Sequence, residues 1–153
     1  MGSQLQAALA AVSSETVHGT CVAINGRGVL IEGRSGSGKS DLALRLIDRG
    51  AQLVSDDYTV LLREGSVLAA RPPATIAGKI EVRGVGIVEM PHAASAPLAL
   101  VVRLVEAPAR LPGERTVRSI AGVPVPEIAL AAREPSAPIK VELALARLET
   151  TEA

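Results

Sequence analysis

The chain has 153 residues, with 16 acidic and 16 basic side chains, so its formal net charge is zero. The hydrophobic fraction of 48% predicts a single globular domain over residues 1–153, and the balanced charge excludes a general electrostatic attraction to nucleic acid or anionic lipid. Aromatic residues make up 1% of the chain, so platforms for stacking single-stranded nucleic acid are missing, and no stretch reaches the ~20 apolar residues of a membrane span. We therefore expect neither nucleic acid nor membrane as a partner.

The first elements in chain order are a predicted short helix and a hairpin. Residues 4–12 can form the helix, and no basic stretch typical of an export signal precedes them. Thr20–Ile24 and residues 28–32 are two β-prone runs joined by Asn25-Gly26, a dipeptide preferred where a hairpin turn needs positive φ. Cys21 is the only cysteine, which excludes an intramolecular disulfide and favours a small buried side chain in a reducing cytoplasm.

An amphipathic helix is predicted over residues 40–49, after a glycine-rich loop. Its apolar side chains recur at the spacing that places them on one helical face, namely Leu42, Ala43, Leu46 and Ile47. Gly50 follows, as the residue type that commonly ends a helix in the left-handed conformation. A short buried strand, Gln52–Ser55, comes next and ends at Asp56 and Asp57. Strand, loop, helix and strand in this order are typical of an α/β fold.

The second half of the chain consists of predicted strands separated by glycine and proline. These strands cover residues 59–63, 66–70, 80–88, 98–105 and 139–145. The first two form a hairpin about Glu64-Gly65, and the third runs into a loop or bulge at Gly84 and Gly86. The proline-rich residues 108–126 are long enough for a lid loop, and residues 127–133 can form a helix. Residues 142–148 can also be helical, so the last strand has an alternative.

The glycine-rich loop, residues 33–40, matches the pattern G-x-x-x-x-G-K-[ST] in full and lies between a predicted strand and a predicted helix, as that pattern requires. Glycines let backbone N–H groups converge on phosphate oxygens, and the helix N-terminus adds partial positive charge. Lys39 supplies a cation for the β- and γ-phosphate oxygens, and Ser40 supplies a hydroxyl for Mg²⁺. The predicted phosphate-binding residues are Gly33, Arg34, Ser35, Gly36, Ser37, Gly38, Lys39 and Ser40.

Asp56 and Asp57 are the leading candidates for activating a group that attacks a bound phosphate. Adjacent residues in an extended chain point to opposite faces, so one carboxylate can face the metal or the core and the other the substrate. A carboxylate beside the γ-phosphate can accept a proton from a hydroxyl. A solvated turn or a helix cap is the alternative interpretation of the pair.

Three further side chains have two interpretations each. Glu81 and Arg83 share one strand face, so they can direct a carboxylate to a metal and a guanidinium to phosphate, or form a plain surface ion pair. His18, just before the first predicted strand, is either structural or catalytic. His92 lies in a loop rich in proline and alanine and is predicted to be structural.

The segments His18-Gly19-Thr20, GRSGSGKS, LVSDD and IEVRGVGIVEM together resemble the catalytic domain of the HPr kinase/phosphorylases, in the short form of alphaproteobacteria. The resemblance covers residues 18–90. It implies an α/β fold similar to phosphoenolpyruvate carboxykinase, with a P-loop-containing mixed sheet and flanking helices. It also implies a cytoplasmic hexamer that uses ATP and Mg²⁺ to phosphorylate a serine of the phosphocarrier protein HPr, and that can reverse this reaction with inorganic phosphate. Because 153 residues leave no room for the N-terminal domain of full-length members, we expect the catalytic domain alone.

The resemblance implies roles for single residues as well. Lys39 would bind phosphate, Ser40 and Glu81 would bind Mg²⁺, and His18 would be an active-site residue. Asp57 would accept the proton in the kinase direction and return it in the reverse direction, as microscopic reversibility requires.

Further residues have counterparts in the family, and the fit weakens downstream, at Arg110 and residues 133–138. Asp56 and Arg83 would support the site, and Arg110 resembles a family active-site arginine. Residues 133–138 resemble the segment tied to dephosphorylation.

Two other function classes fit the residues. A small-molecule kinase or other P-loop phosphotransferase would need a lid and an acceptor pocket, which only residues 108–126 are long enough to offer. A nucleotide sensor without catalysis is disfavoured by Asp57 and Glu81.

Overall fold

The computed structural model describes residues 13–113 and 116–152, with side chains up to residue 148. The helix predicted over residues 4–12 lies outside the described residues. Within them, no helix has both the length and the apolar character required to cross a membrane.

A curled mixed sheet of nine strands forms the centre of the described part of the chain. Its strands are β1 Ser14–His18, β2 Thr20–Ile24, β3 Arg27–Glu32, β4 Gln52–Ser55, β5 Tyr58–Glu64, β6 Val67–Arg71, β9 Ala96–Leu104, β10 Thr116–Ile120 and β11 Val123–Leu130. A separate hairpin consists of β7 Lys79–Val82 and β8 Gly86–Glu89. The helices are α1 Lys39–Asp48, α2 Ala137–Glu152 and a 3₁₀ turn, Ala74–Ile76.

In the strand order β1-β5-β6-β9-β3-β2-β4, β9 lies in the middle and belongs to both halves of the sheet. The start of β9 pairs with β6, and its later residues pair in parallel with β3 and with β11. Because β3, β9 and β11 are parallel neighbours, their carboxyl ends meet at one edge of the sheet. Ligands of open α/β sheets bind at such an edge, and the glycine-rich loop follows β3 there.

Two buried clusters pack against the two faces of the sheet. One lies under the helices and contains Leu42 and Leu46 of α1 with Val141 and Leu145 of α2. The other lies inside the curl and includes Leu30, Leu61 and Val101. Cys21 belongs to this second cluster and is completely buried, as predicted.

The early elements confirm the predictions from sequence. β2 and β3 form an antiparallel hairpin whose turn residues Asn25 and Gly26 have φ of 51° and 79°. The helix spans Lys39–Asp48, and Gly50 follows it with φ of 112°. The β5–β6 hairpin also forms, with Glu64 paired to Val67, so its turn residues are Gly65 and Ser66.

The strand predicted over residues 80–88 is instead a hairpin. Val82 pairs with Gly86, so residues 83–85 form its turn. Gly84 and Gly86 have φ of 86° and 124°, and positive φ at two glycines is what reverses the chain here.

The proline-rich region is a second place where the prediction was wrong, because β10 and β11 form a hairpin within residues 116–130 rather than a lid loop and a helix. Ala121 and Gly122 make its two-residue turn, with φ of 49° and 80°. Pro124 and Pro126 pair with β10, while β11 pairs with β9 only from Glu127 onward. A proline has no N–H to donate to a neighbouring strand. At these two prolines one side of β11 has no neighbouring strand among the described residues, so no hydrogen bond of the sheet is lost there.

The last strand predicted from alternation is also wrong, and its helical alternative is confirmed by α2. The buried residues Val141, Leu145 and Leu148 follow helical spacing, whereas Ile139 and Leu143 are 43% and 60% exposed. Pro138 does not break the helix because it lies in the first turn, where its missing N–H has no acceptor.

Candidate active site

The loop between β3 and α1 is shaped by three glycines. A Cβ at Gly33 would lie 2.5 Å from Ser37 Oγ and 3.1 Å from Leu104 Cβ, so a larger residue there would force both side chains to move. Gly36 and Gly38 have φ of 79° and 100°, in the left-handed region that other residues rarely adopt. The loop therefore adopts the curvature that lets successive N–H groups face a common anion.

Lys39 is folded into this loop, with 7% of its surface exposed. Its Nζ donates to the carbonyl oxygens of Gly33 and Arg34, both at 3.0 Å. Ser37 Oγ is also buried and has no hydrogen-bond partner in the described protein. A buried hydroxyl without a partner and an ammonium held inside the loop are the donors that a phosphate group accepts from.

Asp56 is a buried carboxylate that joins three elements. Its Oδ1 accepts hydrogen bonds from Ser40 Oγ at 2.5 Å and from Thr20 Oγ1 at 3.0 Å, and its Oδ2 accepts one from the Glu81 N–H at 2.9 Å. Three donors offset the cost of removing this group from water. Thr20, which sequence reasoning did not single out, is completely buried; its place in the His18-Gly19-Thr20 motif was the available signal.

Asp57 faces the solvent, with 59% of its side chain exposed. Its Oδ1 lies 2.9 Å from Nε2 of His18, and its N–H donates to Thr20 Oγ1 at 3.1 Å. The two aspartates therefore have different surroundings, as predicted. The backbone conformation behind this difference is not the extended one that was predicted. Asp57 has φ of 68°, and this left-handed conformation turns its side chain away from that of Asp56.

A cavity of about 610 Å³ brings most of the predicted residues together. Lys39, Ser40, Asp57, Glu81 and Arg83 all line it, together with Arg133. His18 contacts Asp57 from outside the wall, and Asp56 lies behind Ser40. Arg110 is exposed between β9 and β10 and lines neither this cavity nor the one beside it. His92 forms an isolated β-bridge with Leu53 and lines neither cavity.

Arg45, on α1, holds the segment that follows β11, a contact that no sequence motif indicates. Its guanidinium donates to the carbonyl oxygens of Ala132 at 2.5 Å and Glu134 at 3.2 Å, and its Nε lies 3.2 Å from Asp41. This segment contains Arg133, which is part of the cavity wall. Arg45 therefore fixes one wall of the site from the helix that carries Lys39.

A charged pair also supports the start of the loop. Glu32, the residue before Gly33, has 15% of its side chain exposed and forms an ion pair with Arg118 of β10. Arg118 also lies 3.9 Å from Glu127 of β11. The β10–β11 hairpin is thus joined to the strand that leads into the loop.

The donor atoms of the cavity fit Mg²⁺. Ser40 offers a hydroxyl and Glu81 and Asp57 offer carboxylates, all hard oxygen ligands. No group of three His, Cys, Asp or Glu side chains arranged to hold a metal occurs in the described residues. An ion that takes one or two protein oxygens and completes its shell with phosphates and water suits this arrangement.

The chain matches the family model of the HPr Serine kinase C-terminal domain over residues 9–149, which include all of the cavity residues described above. The chain belongs to this family. An HPr kinase/phosphorylase of Aromatoleum aromaticum is 41% identical over 124 residues, which are 72% of this chain and 40% of that protein. One of Clostridium acetobutylicum is 48% identical over 75 residues, which are 49% of this chain and 25% of that protein. The chain thus spans less than half the length of these curated relatives.

A solved structure supports the same family. The Hpr(Ser) kinase/phosphatase from Coxiella burnetii has a TM-score of 0.76 to this chain at 31% sequence identity, covering 90% of this chain and 97% of that one. The predicted P-loop-containing mixed sheet with flanking helices is confirmed by this match and by the sheet itself.

Proposed function

We propose that this chain is an ATP-dependent protein-serine kinase that phosphorylates the phosphocarrier protein HPr. One observation carries the proposal: the exposed carboxylate of Asp57 lines the same cavity as the phosphate-binding residues Lys39 and Ser40. A kinase needs a proton acceptor next to the phosphates and accessible to a bulky substrate, and Asp57 meets both conditions. The names of the relatives support HPr as the acceptor.

The phosphates of ATP are held by the loop, where Lys39 exchanges its carbonyl partners for phosphate oxygens. The serine hydroxyl of HPr approaches from the solvent side of Asp57. Its oxygen forms a bond to the γ-phosphorus, the bond to the β,γ-bridging oxygen breaks, and Asp57 takes the hydroxyl proton. The products are phosphoserine and ADP.

His18 and Arg83 assist this transfer. With Asp57 ionised, Nε2–H of His18 donates to Oδ1, which orients the carboxylate and leaves its other oxygen for the serine. The Arg83 guanidinium, on the wall of the cavity, stabilises charge on the transferred phosphoryl group.

Ser40 and Glu81 are the proposed holders of Mg²⁺, with Asp56 as the group that orients the Ser40 hydroxyl. When bound, the ion neutralises charge on the phosphate oxygens. The Ser40 hydroxyl donates its proton in a hydrogen bond to Asp56 Oδ1, which would leave an oxygen lone pair of Ser40 free for the ion, so this hydrogen bond sets the orientation of the hydroxyl.

The same carboxylate serves the reverse reaction. Inorganic phosphate attacks phosphoserine, Asp57 returns a proton to the serine oxygen, and pyrophosphate is released. We further propose, from the family resemblance, that the protein acts in the cytoplasm as a homohexamer. The role that the resemblance implies for Arg110 would require its side chain to come closer to the site, because it lines neither cavity.

A transfer assay tests the proposal. Purified protein is incubated with γ-labelled ATP, Mg²⁺ and HPr, and we expect label on a serine of HPr. Label on a metabolite instead would favour a small-molecule kinase, and nucleotide binding without turnover would favour a sensor. A version of HPr with that serine replaced by alanine is the control for the labelled position.

A further inference from the structure

A second cavity, of about 670 Å³, adjoins the first across the glycine-rich loop. Ser35, Gly36 and Ser37 belong to the walls of both cavities, and so do Ala132 and Arg133. A ligand anchored by its phosphates in the loop can therefore extend from one cavity into the other. The volume lies in the range of about 300–1,000 Å³ that is usual for pockets of small ligands.

The walls of the two cavities differ in chemistry. The first contains Lys39, Glu81 and Arg83, with charges suited to phosphates and metal. The second has the aliphatic side chains of Leu104, Val105 and Ala131, with Arg34 and Glu106 as polar groups beside the shared Arg133. A flat ring can pack between aliphatic side chains, a guanidinium can stack on it, and a carboxylate can accept hydrogen bonds from hydroxyl or amino groups.

The composition of the chain restricts how such a ring can be held. Tyr58 is the only aromatic side chain, and its ring lies 5.1 Å from that of His18, on the side of Asp57. Aromatic stacking is thus excluded in the second cavity. Its walls come from the ends of β9 and β11, two paired strands, so the cavity is formed before any ligand arrives.

We propose that the second cavity binds the nucleoside of the triphosphate, while the first binds its phosphates and admits the acceptor. This rests on the proposed function as a kinase. The division keeps the base and ribose away from Asp57, so the acceptor serine reaches the carboxylate without passing the nucleoside. Glu106 accepts hydrogen bonds from the nucleoside, and Arg34 covers one face of the base.

The test compares ATP with inorganic tripolyphosphate, which has the phosphates without the nucleoside. Ala131 is half-buried in the wall of the second cavity, and Ala131→Phe fills that space. By calorimetry we expect the variant to bind ATP at least about tenfold more weakly than wild type, with tripolyphosphate binding changed less than about twofold. Tripolyphosphate binding also reports whether the loop of the variant is folded.

The matched control is Ala109→Phe, which adds the same ring at an exposed position outside both cavities and should change neither affinity. Glu106→Ala, which only shortens an exposed side chain, should weaken the binding of ATP and leave the binding of tripolyphosphate unchanged. The inference is overturned if Ala131→Phe and Glu106→Ala leave ATP binding unchanged, or if they weaken both ligands equally. It is also overturned if wild type binds tripolyphosphate as tightly as ATP. A wild-type protein that binds neither ligand contradicts the proposed function itself.

Discussion

Asp56 and Asp57 show how two identical neighbouring residues acquire different chemistry. Asp56 is buried and accepts from Ser40, Thr20 and Glu81, so its oxygens are occupied by the protein. The carboxylate of Asp57 contacts His18, and 59% of its side chain is exposed to solvent. The hydrogen bonds of Asp56 join three elements, whereas the exposure of Asp57 is what its proposed role as a proton acceptor requires.

Replacement of Asp57 by asparagine tests the proposed proton acceptor. The amide keeps the size of the side chain but cannot take the serine proton, so we expect phosphoryl transfer to fall by about 10²–10⁴-fold. Binding of ATP, measured by calorimetry, should be nearly unchanged. Asp48→Asn, at the exposed end of α1, is the control and should transfer normally. Phosphoryl transfer at a near wild-type rate in the Asp57→Asn variant would show that Asp57 is not the proton acceptor.

Replacement of Lys39 by alanine tests the loop. The ammonium lies between two loop carbonyls, at the position where a triphosphate contacts the loop, so its loss should weaken ATP binding by about tenfold or more. Titration calorimetry measures the change, and Lys79→Ala, an exposed lysine of β7, is the control. An unchanged ATP affinity in Lys39→Ala would contradict the phosphate-binding interpretation.

The thiol of Cys21 gives a prediction about pH. Burial raises its pKa from 9.0 to about 12, against a smaller opposing effect of a hydrogen bond from the Val29 backbone. The folded thiol therefore stays protonated at pH 8, and a thiol reagent should react with it only after denaturant is added. Because the pKa is raised in the folded state, this group stabilises the fold fully below pH 9 and loses that contribution as pH rises toward 12. Rapid labelling of the native protein at pH 8 would contradict the burial.

At the scale of elements, the predictions succeeded where a local pattern had one meaning. Asn25-Gly26 and the stripe of α1 specify a turn and a helix by themselves. Residues 139–145 alternate in hydrophobicity and also place Val141 and Leu145 on one helical face, so two structures fit the pattern. The helix is the structure that forms, because it lets Val141, Leu145 and Leu148 pack together against the apolar residues of α1.

The contact between α1 and the segment after β11 is an element-scale feature that mutation can test. Arg45→Ala removes two hydrogen bonds to carbonyl oxygens, so we expect a loss of about 2 kcal/mol in the free energy of unfolding. Hydrogen exchange should become faster in residues 131–134.

Arg49→Ala is the matched control on the same helix. It removes an ion pair to Glu142 of α2 that solvent and salt screen, so it should change the free energy of unfolding little and leave exchange in residues 131–134 unchanged. Equal effects of the two substitutions would mean that Arg45 does not hold this segment.

At the scale of the whole molecule, we expect ligand binding and folding to be coupled, because the proposed phosphate site combines residues of α1, β7, the turn after β4 and the segment after β11. We expect ATP with Mg²⁺ at a hundred times its dissociation constant to add about 2.7 kcal/mol to the free energy of unfolding. For a chain of this length this corresponds to an increase in Tm of several degrees. Thermal unfolding with and without ATP measures it, and Lys39→Ala at the same concentrations should show a smaller increase. No increase in the wild-type protein would contradict the site.

The sequence by itself determined the phosphate loop and the family, because their signals are local. The eight residues of the loop, the turn at Asn25-Gly26 and the paired aspartates depend on backbone conformations that neighbouring residues set. Only the tertiary structure decided how the site is held: Thr20 and Glu81 reach Asp56 from 36 and 25 positions away, and Arg45 reaches Ala132 from 87. It also turned the proline-rich segment into strands, since pairing with β9 and β10 outweighs the local preference of prolines for loops. Contacts over such distances depend on the sheet that brings them together, and no short pattern encodes them.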